Sequence, residues 1–177
     1  MRTGFRHADS RYPFLWEDSS QPAARWHADG EGPAQYLAET SDGAWAEFVR
    51  HEEITDAADL AGVARSMWSV ELPADIDTAE RLDPPFARGG VETYPACQKL
   101  AAAHRAAGAT MLSVPSAAVV DGGARGQVTD GGLREASDLP ARNWVLFGAH
   151  PNLRGWRVVE GGAPPSRVLT LARLPGA

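Results

Sequence analysis

Tyr94-Pro-Ala-Cys-Gln-Lys-Leu-Ala-Ala-Ala-His-Arg-Ala-Ala-Gly108, running straight into Ala109-Thr-Met-Leu-Ser-Val114 and then Pro115-Ser116, is the stretch on which the fold turns. Tyr94, Cys97, Leu100, Ala101 and His104 recur at helical spacing. Pro95 is tolerated in a first turn, where no backbone donor is needed, and Gly108 supplies a C-terminal cap. The apolar run that follows is short and closed by proline, so it reads as a buried strand. The fold class then depends on whether such helix and strand units alternate along the chain.

They do not. Toward the N-terminus, Gly4-Phe-Arg-His7 fits a short edge strand, and residues 8–24 are polar, aromatic and turn-forming without a period, as in a long loop. Gln35-Tyr-Leu-Ala38 reads as a strand after Gly30, Gly32 and Pro33. Thr40, Ser41 or Asp42 then caps a helix through about His51, whose buried face is Ala44, Trp45, Phe48 and Val49. Residues 56–66 suggest a second short helix, 67–72 a strand stopped by Pro73, and 75–90, with Pro84-Pro85 and Gly89-Gly90, a loop. Beyond Ser116, residues 121–142 form a glycine-rich surface excursion. Residues 144–147, 156–159 and 168–172 suggest three closing strands, with turns such as Gly161-Gly162-Ala163-Pro164-Pro165 between them. With no internal repeat and no linker-like break, the expectation is one compact α+β domain over residues 1–177, a mixed β core flanked by helices.

Composition bounds the function. At 177 residues, 44% hydrophobic and 23% charged, the chain is long enough to bury a core without metals or disulfides. A net charge of −6 and a pI near 5.3 repel nucleic acid and anionic membranes unless basic residues are concentrated in one place. Lys99 is the one lysine, and the other basic side chains are arginines. Cys97 is the sole cysteine, which excludes an intrachain disulfide and fits a reducing, cytoplasmic setting; on the apolar stripe of its helix it reads as an inert thiol. No signal-peptide core or membrane-length apolar run is present.

Few residues carry chemistry on their own. Arg25-Trp26-His27 precedes a glycine-containing turn and Tyr36, and an arginine fork beside an aromatic ring suits a flat, anionic ligand such as a dinucleotide. Taken without context, the plainer reading prevails: Arg25 as a surface ion-pair partner and Tyr36 as a half-buried strand residue. Glu47 flanks the apolar face of its helix, and by periodicity it is a solvated boundary residue paired with Arg50 or His51. Ser116 follows a strand end, a common place for a ligand cleft, and equally fits a turn or a helix cap. It lacks a Gly-x-Ser-x-Gly elbow, so it is not read as a nucleophile. The five histidines, His7, His27, His51, His104 and His150, lack the paired spacing of a zinc site, and no metal is expected. Gly122-Gly123-Ala-Arg-Gly126 and Gly131-Gly132 match no phosphate loop and read as turns.

Taken in order, Phe5-Arg6, Ala24-Arg25-Trp26, Gln35-Tyr36-Leu37-Ala38, Ala46-Glu47, Tyr94-Pro-Ala-Cys-Gln98, Gly108 and Val114-Pro-Ser-Ala117 resemble the RES-domain family, from about Phe5 to about His150. The resemblance implies an α+β fold similar to ADP-ribosyltransferases. It also implies a bacterial toxin that cleaves NAD and passes ADP-ribose to phosphate or water, with mono-ADP-ribosylation of a protein or a catalytically silent binding module as alternatives. Arg6 and Arg25 would contact the ligand phosphates, Tyr36 would stack on nicotinamide, Glu47 would supply the ribose-side carboxylate and Ser116 would organise the site as a polar group. The implied partners are NAD, inorganic phosphate and a cognate antitoxin with a helix-turn-helix domain; a homo-oligomer is compatible with the pattern. Two positions depart from it: His27 stands where asparagine is usual, and Phe147-Gly-Ala-His-Pro151 lacks the usual Asn-Pro. The cationic nicotinamide of NAD departs as a neutral molecule without needing a general acid and leaves positive charge on the ribose, so the site must grip a diphosphate and set negative charge beside the ribose.

Overall fold

Seven strands form one sheet in the order β4-β5-β8-β2-β1-β3-β9, antiparallel throughout except for the parallel β4–β5 pair. They are β1 (Thr3–Asp9), β2 (Ala34–Ala38), β3 (Arg65–Glu71), β4 (Glu80–Arg81), β5 (Met111–Pro115), β8 (Arg142–Phe147) and β9 (Gly155–Gly162). The hairpin β6 (Gln127–Thr129) and β7 (Leu133–Glu135) stands apart. The helices are α1 (Ser41–His51), α2 (Ala57–Leu60), α3 (Tyr94–Ala106) and α4 (Val168–Leu171). This computed structural model describes residues 2–15, 17–124, 126–137 and 139–174. Arg125, within the predicted 122–126 turn, lies outside them.

The fold class is the expected one, α+β with a mixed sheet, and the decisive stretch behaves as its spacing predicts. α3 buries Cys97 and Ala101, ends at Gly108 with φ of 99°, and feeds β5, all five of whose residues are buried. Thr40 caps α1, its side chain accepting from the Gly43 amide at 3.0 Å. Ala44, Trp45, Phe48 and Val49 are all buried as read, joined by Ala46. α1 and α3 lie on the same face of the sheet. Phe5, Ala38 and Met67 pack under α1, whereas Ala34, Val114, Val145 and Phe147 pack under α3.

Five expectations are corrected. β1 is no edge strand; it lies between β2 and β3, paired with β3 along its full length from Thr3↔Glu71 to Asp9↔Arg65. The predicted helix 56–66 is only α2, because Gly62 and the early start of β3 at Arg65 cut it short. Residues 168–171 are helical rather than extended: Val168 and Leu171, three apart, are both buried, and Val168 joins the core beside α1. The 121–142 excursion contains the β6–β7 hairpin, and Gly161 and Gly162 finish β9 rather than opening a turn.

Candidate active site

β1 and β2 meet at one register point, Phe5↔Ala38, while each is paired along its length with its other neighbour. Gly4 permits the approach, since a Cβ there would lie 2.8 Å from the Leu37 Cβ. Beyond Phe5 the strands part, and Arg6 reaches back across the gap to donate to Gln35 Oε1 at 2.7 Å. The gap, roofed by α1 and flanked by the Arg25 turn, opens into a cavity of about 1000 Å³. That is the upper end of the usual size for a small-molecule site.

Glu47 projects from α1 into this cavity. Its Oε1 accepts from Ser116 Oγ at 3.0 Å and from Asn143 Nδ2 at 2.6 Å. Among the described residues Oε2 has no hydrogen-bond partner, so one carboxylate edge is fixed and the other is available. The expected pairing with Arg50 or His51 is not formed; Ser116 and Asn143, at the ends of β5 and β8, take its place. Ser116 is 1% exposed, accepts from the Ala118 amide at 3.2 Å, and stands behind Glu47 rather than on the cavity wall.

Four arginines, Arg6, Arg25, Arg50 and Arg65, line the cavity. Among the described residues, none of the four has a carboxylate within ion-pair distance, whereas every other described arginine has one. Neutral groups hold them instead. Arg25 donates to Gly89 O at 2.8 Å and Thr93 Oγ1 at 3.1 Å, with its guanidinium 4.7 Å from the Tyr94 ring centroid. Arg50 donates to the Arg173 carbonyl at 2.5 Å, and Arg65 donates from Nε to His7 Nδ1 at 3.0 Å. Carbonyls, hydroxyls and rings fix a guanidinium without cancelling its charge. Arg25 is therefore not the surface ion-pair partner that the plainer reading gave.

The Arg25 turn is closed by the Ala24–His27 bridge and pinned from α3 by Gln98 Nε2, which donates to Ala24 O at 2.9 Å. Tyr36 adds a second fastening: its hydroxyl accepts from the Trp26 amide at 3.0 Å and lies 2.9 Å from His27 Nδ1. His27 Nε2 is 2.9 Å from the Pro22 carbonyl, which can only accept. The proton therefore sits on Nε2, and Nδ1 accepts from the tyrosine hydroxyl. Burial pushes the Tyr36 phenol up and the His27 imidazole down, so both stay neutral in this chain of donors. His27, one of the two departures from the family pattern, is thus the acceptor that fixes the Tyr36 hydroxyl.

Arg6, Arg25, Tyr36 and Glu47 converge on one cavity, with Ser116 directly behind. Arg50, Arg65, His7 and Asn143 belong to the same site and were not singled out from the sequence. Asn143 carried a faint signal, a polar residue on the face that Val145 and Phe147 bury; His7 and Arg65 meet only through the β1–β3 pairing. Among the described residues no group of three or more His, Cys, Asp or Glu side chains could hold a metal, and no helix is long and apolar enough to cross a membrane.

Comparison with solved structures finds a chain of the M. tuberculosis MbcT–MbcA toxin–antitoxin complex similar in fold, with a TM-score of 0.58 and 16% identity over 96% of this chain and 87% of that one. No curated protein sequence matches. The family model described as the RES domain matches residues 2–170, nearly the whole chain. This protein therefore belongs to the RES domain family.

Proposed function

We propose that this protein is the toxin of a toxin–antitoxin pair and cleaves NAD at the nicotinamide–ribose bond, passing ADP-ribose to phosphate or water. The observation that carries the reading is the pairing of one fixed carboxylate, Glu47, with arginines left free of ion pairs in the same cavity. The C–N bond breaks with its electron pair going to nicotinamide nitrogen, which becomes neutral and needs no proton. Positive charge develops on the ribose, and the available edge of Glu47 offsets it. An oxygen of phosphate or water bonds to the same carbon, and where water is the acceptor its proton passes to solvent.

Arg6, Arg25 and Arg50 supply donors for the diphosphate, and Tyr36, its hydroxyl fastened, presents its ring to nicotinamide. Ser116 acts through Glu47 as a positioning residue. The fold shared with a chain of the MbcT–MbcA complex supports an antitoxin partner, with a helix-turn-helix domain as the family pattern implies.

The test is incubation of the purified protein with NAD, with and without phosphate, and separation of the products. Nicotinamide with ADP-ribose or its phosphate ester is expected, and Glu47→Gln is expected to lower kcat by about 100- to 1000-fold with the fold intact. Label transferred to a protein would replace this reading by mono-ADP-ribosylation. Unchanged NAD with no binding by calorimetry would replace it by a silent binding module.

A further inference from the structure

The four cavity arginines are not equivalent. Arg6, Arg25 and Arg50 come from β1, the 24–27 turn and α1, whereas Arg65 comes from β3, on the side of β1 away from β2. Glu47 is held by Asn143 of β8, which pairs across β2 with Ala38, itself opposite Phe5 of β1. Arg65 opens β3 opposite Asp9, on the other side of β1 and four residues farther along it. At ordinary strand spacings the Asn143 and Arg65 backbones are separated by roughly 14 Å across the sheet and about 13 Å along it. A dinucleotide whose nicotinamide ribose lies at Glu47 and whose diphosphate lies among Arg6, Arg25 and Arg50 brings its adenosine ribose to the Arg65 end.

Arg65 is built to receive an anion there. Its guanidinium lies 5.1 Å from the Phe48 ring centroid, which covers one face, and its Nε is held by His7 Nδ1 at 3.0 Å. His7 is itself stacked on Trp45, with ring planes 9° apart, and meets Phe48 edge-on at 5.2 Å. Since His7 Nδ1 accepts, its proton is on Nε2, and the imidazole is a neutral brace rather than a competing cation. Among the described residues Asp9, the carboxylate opposite Arg65, is engaged by Arg11 at 2.9 and 3.0 Å, and no carboxylate pairs with Arg65. The two terminal nitrogens of Arg65 have no hydrogen-bond partner among the described residues, and the side chain lines the cavity. Such a fork matches a phosphoryl group in two-point contact.

We infer that Arg65, braced by His7 and Phe48, reads a phosphate on the adenosine-side ribose, so that the preferred substrate is the 2′-phosphorylated dinucleotide, NADP, rather than NAD. This rests on the NAD-cleavage reading for the orientation of the ligand, and its test separates the two. One arm compares kcat/KM for NADP and NAD in the wild type, in Arg65→Met, which keeps the stem on Phe48, and in Arg65→Lys, which keeps the charge without the fork. The wild type is expected to favour NADP by about 10- to 100-fold, the size of a charge-assisted contact. The ratio should fall close to one in Arg65→Met and lie between in Arg65→Lys. A wild type that favours NAD, or a preference that survives Arg65→Met, overturns the inference while leaving dinucleotide cleavage standing.

The second arm needs no turnover. Calorimetry with adenosine 2′,5′-bisphosphate and with AMP should show tighter binding of the bisphosphate, lost in Arg65→Met whose thermal unfolding matches the wild type. Equal affinities overturn the inference, and tight bisphosphate binding without turnover of either dinucleotide overturns the cleavage reading alone.

Discussion

His7 shows what this cavity does to a single side chain. Burial and the neighbouring Arg65, Arg6 and His51 push its imidazole down from 6.5 to about 3. The unfolded chain takes up that proton near pH 6.5 and the native one only near 3, so between those values the unfolded state binds more protons. Stability is therefore lost as pH falls from about 6.5 toward 3, and is not affected by this group above that window. His27, also lowered by burial, acts in the same direction. His7→Gln, which keeps an acceptor for Arg65, should narrow the gap between unfolding free energies measured at pH 7 and pH 5. A gap as wide as that of the wild type would assign the acid sensitivity elsewhere. Of the residues around it, Arg25, Tyr36 and Glu47 were legible only through their order in the family pattern. Periodicity describes which face of an element is apolar, but it is blind to what a boundary residue meets across the fold. Glu47 illustrates this: its partners Ser116 and Asn143 are 69 and 96 residues away in sequence.

Among the elements, those with strong local signals were read correctly: β2, the cap and buried face of α1, and the whole α3–β5 unit. Elements whose identity depends on neighbours were not. β1 is rich in polar residues, which suits an edge, yet it lies in the interior, with Arg6 and His7 drawn into the cavity. α4 is a single turn of β-favouring residues made helical by what it packs on. The β4 edge is fastened by another feature invisible locally, the buried Arg142, 6% exposed. Arg142 donates to Ser113 Oγ at 2.8 Å, Ser113 O at 2.6 Å, Leu82 O at 2.9 Å and Asp83 Oδ1 at 2.5 Å. Arg142→Met retains bulk but takes from Leu82 O its donor, while Ser113 O keeps the Leu82 amide, and at about 1–3 kcal/mol for an orphaned group it should destabilise by roughly that amount in urea unfolding. Arg11→Ala, which breaks the exposed pair with Asp9, should leave the urea unfolding midpoint essentially where it is in the wild type.

Across the molecule, a chain of net charge −6 gathers in one cavity the four described arginines that have no carboxylate partner. The acidic balance that argues against nucleic acid belongs to the outer surface, where the described arginines are matched by carboxylates. The same composition read as an average says nothing of this segregation, because charge counts carry no positions. The segregation is made possible by the break in the sheet at Phe5↔Ala38. In its backbone pairing the sheet is two ladders, β3-β1 with β9 and β2-β8-β5 with β4, which meet at one rung beside the Arg6–Gln35 bond. The amides of residues 6–9 that point toward β2 have no ladder partner, while those that point toward β3 do. Hydrogen exchange should therefore alternate fast and slow along β1, and a ligand that fills the gap should slow the fast set, giving a residue-by-residue footprint of occupancy that needs no catalytic turnover.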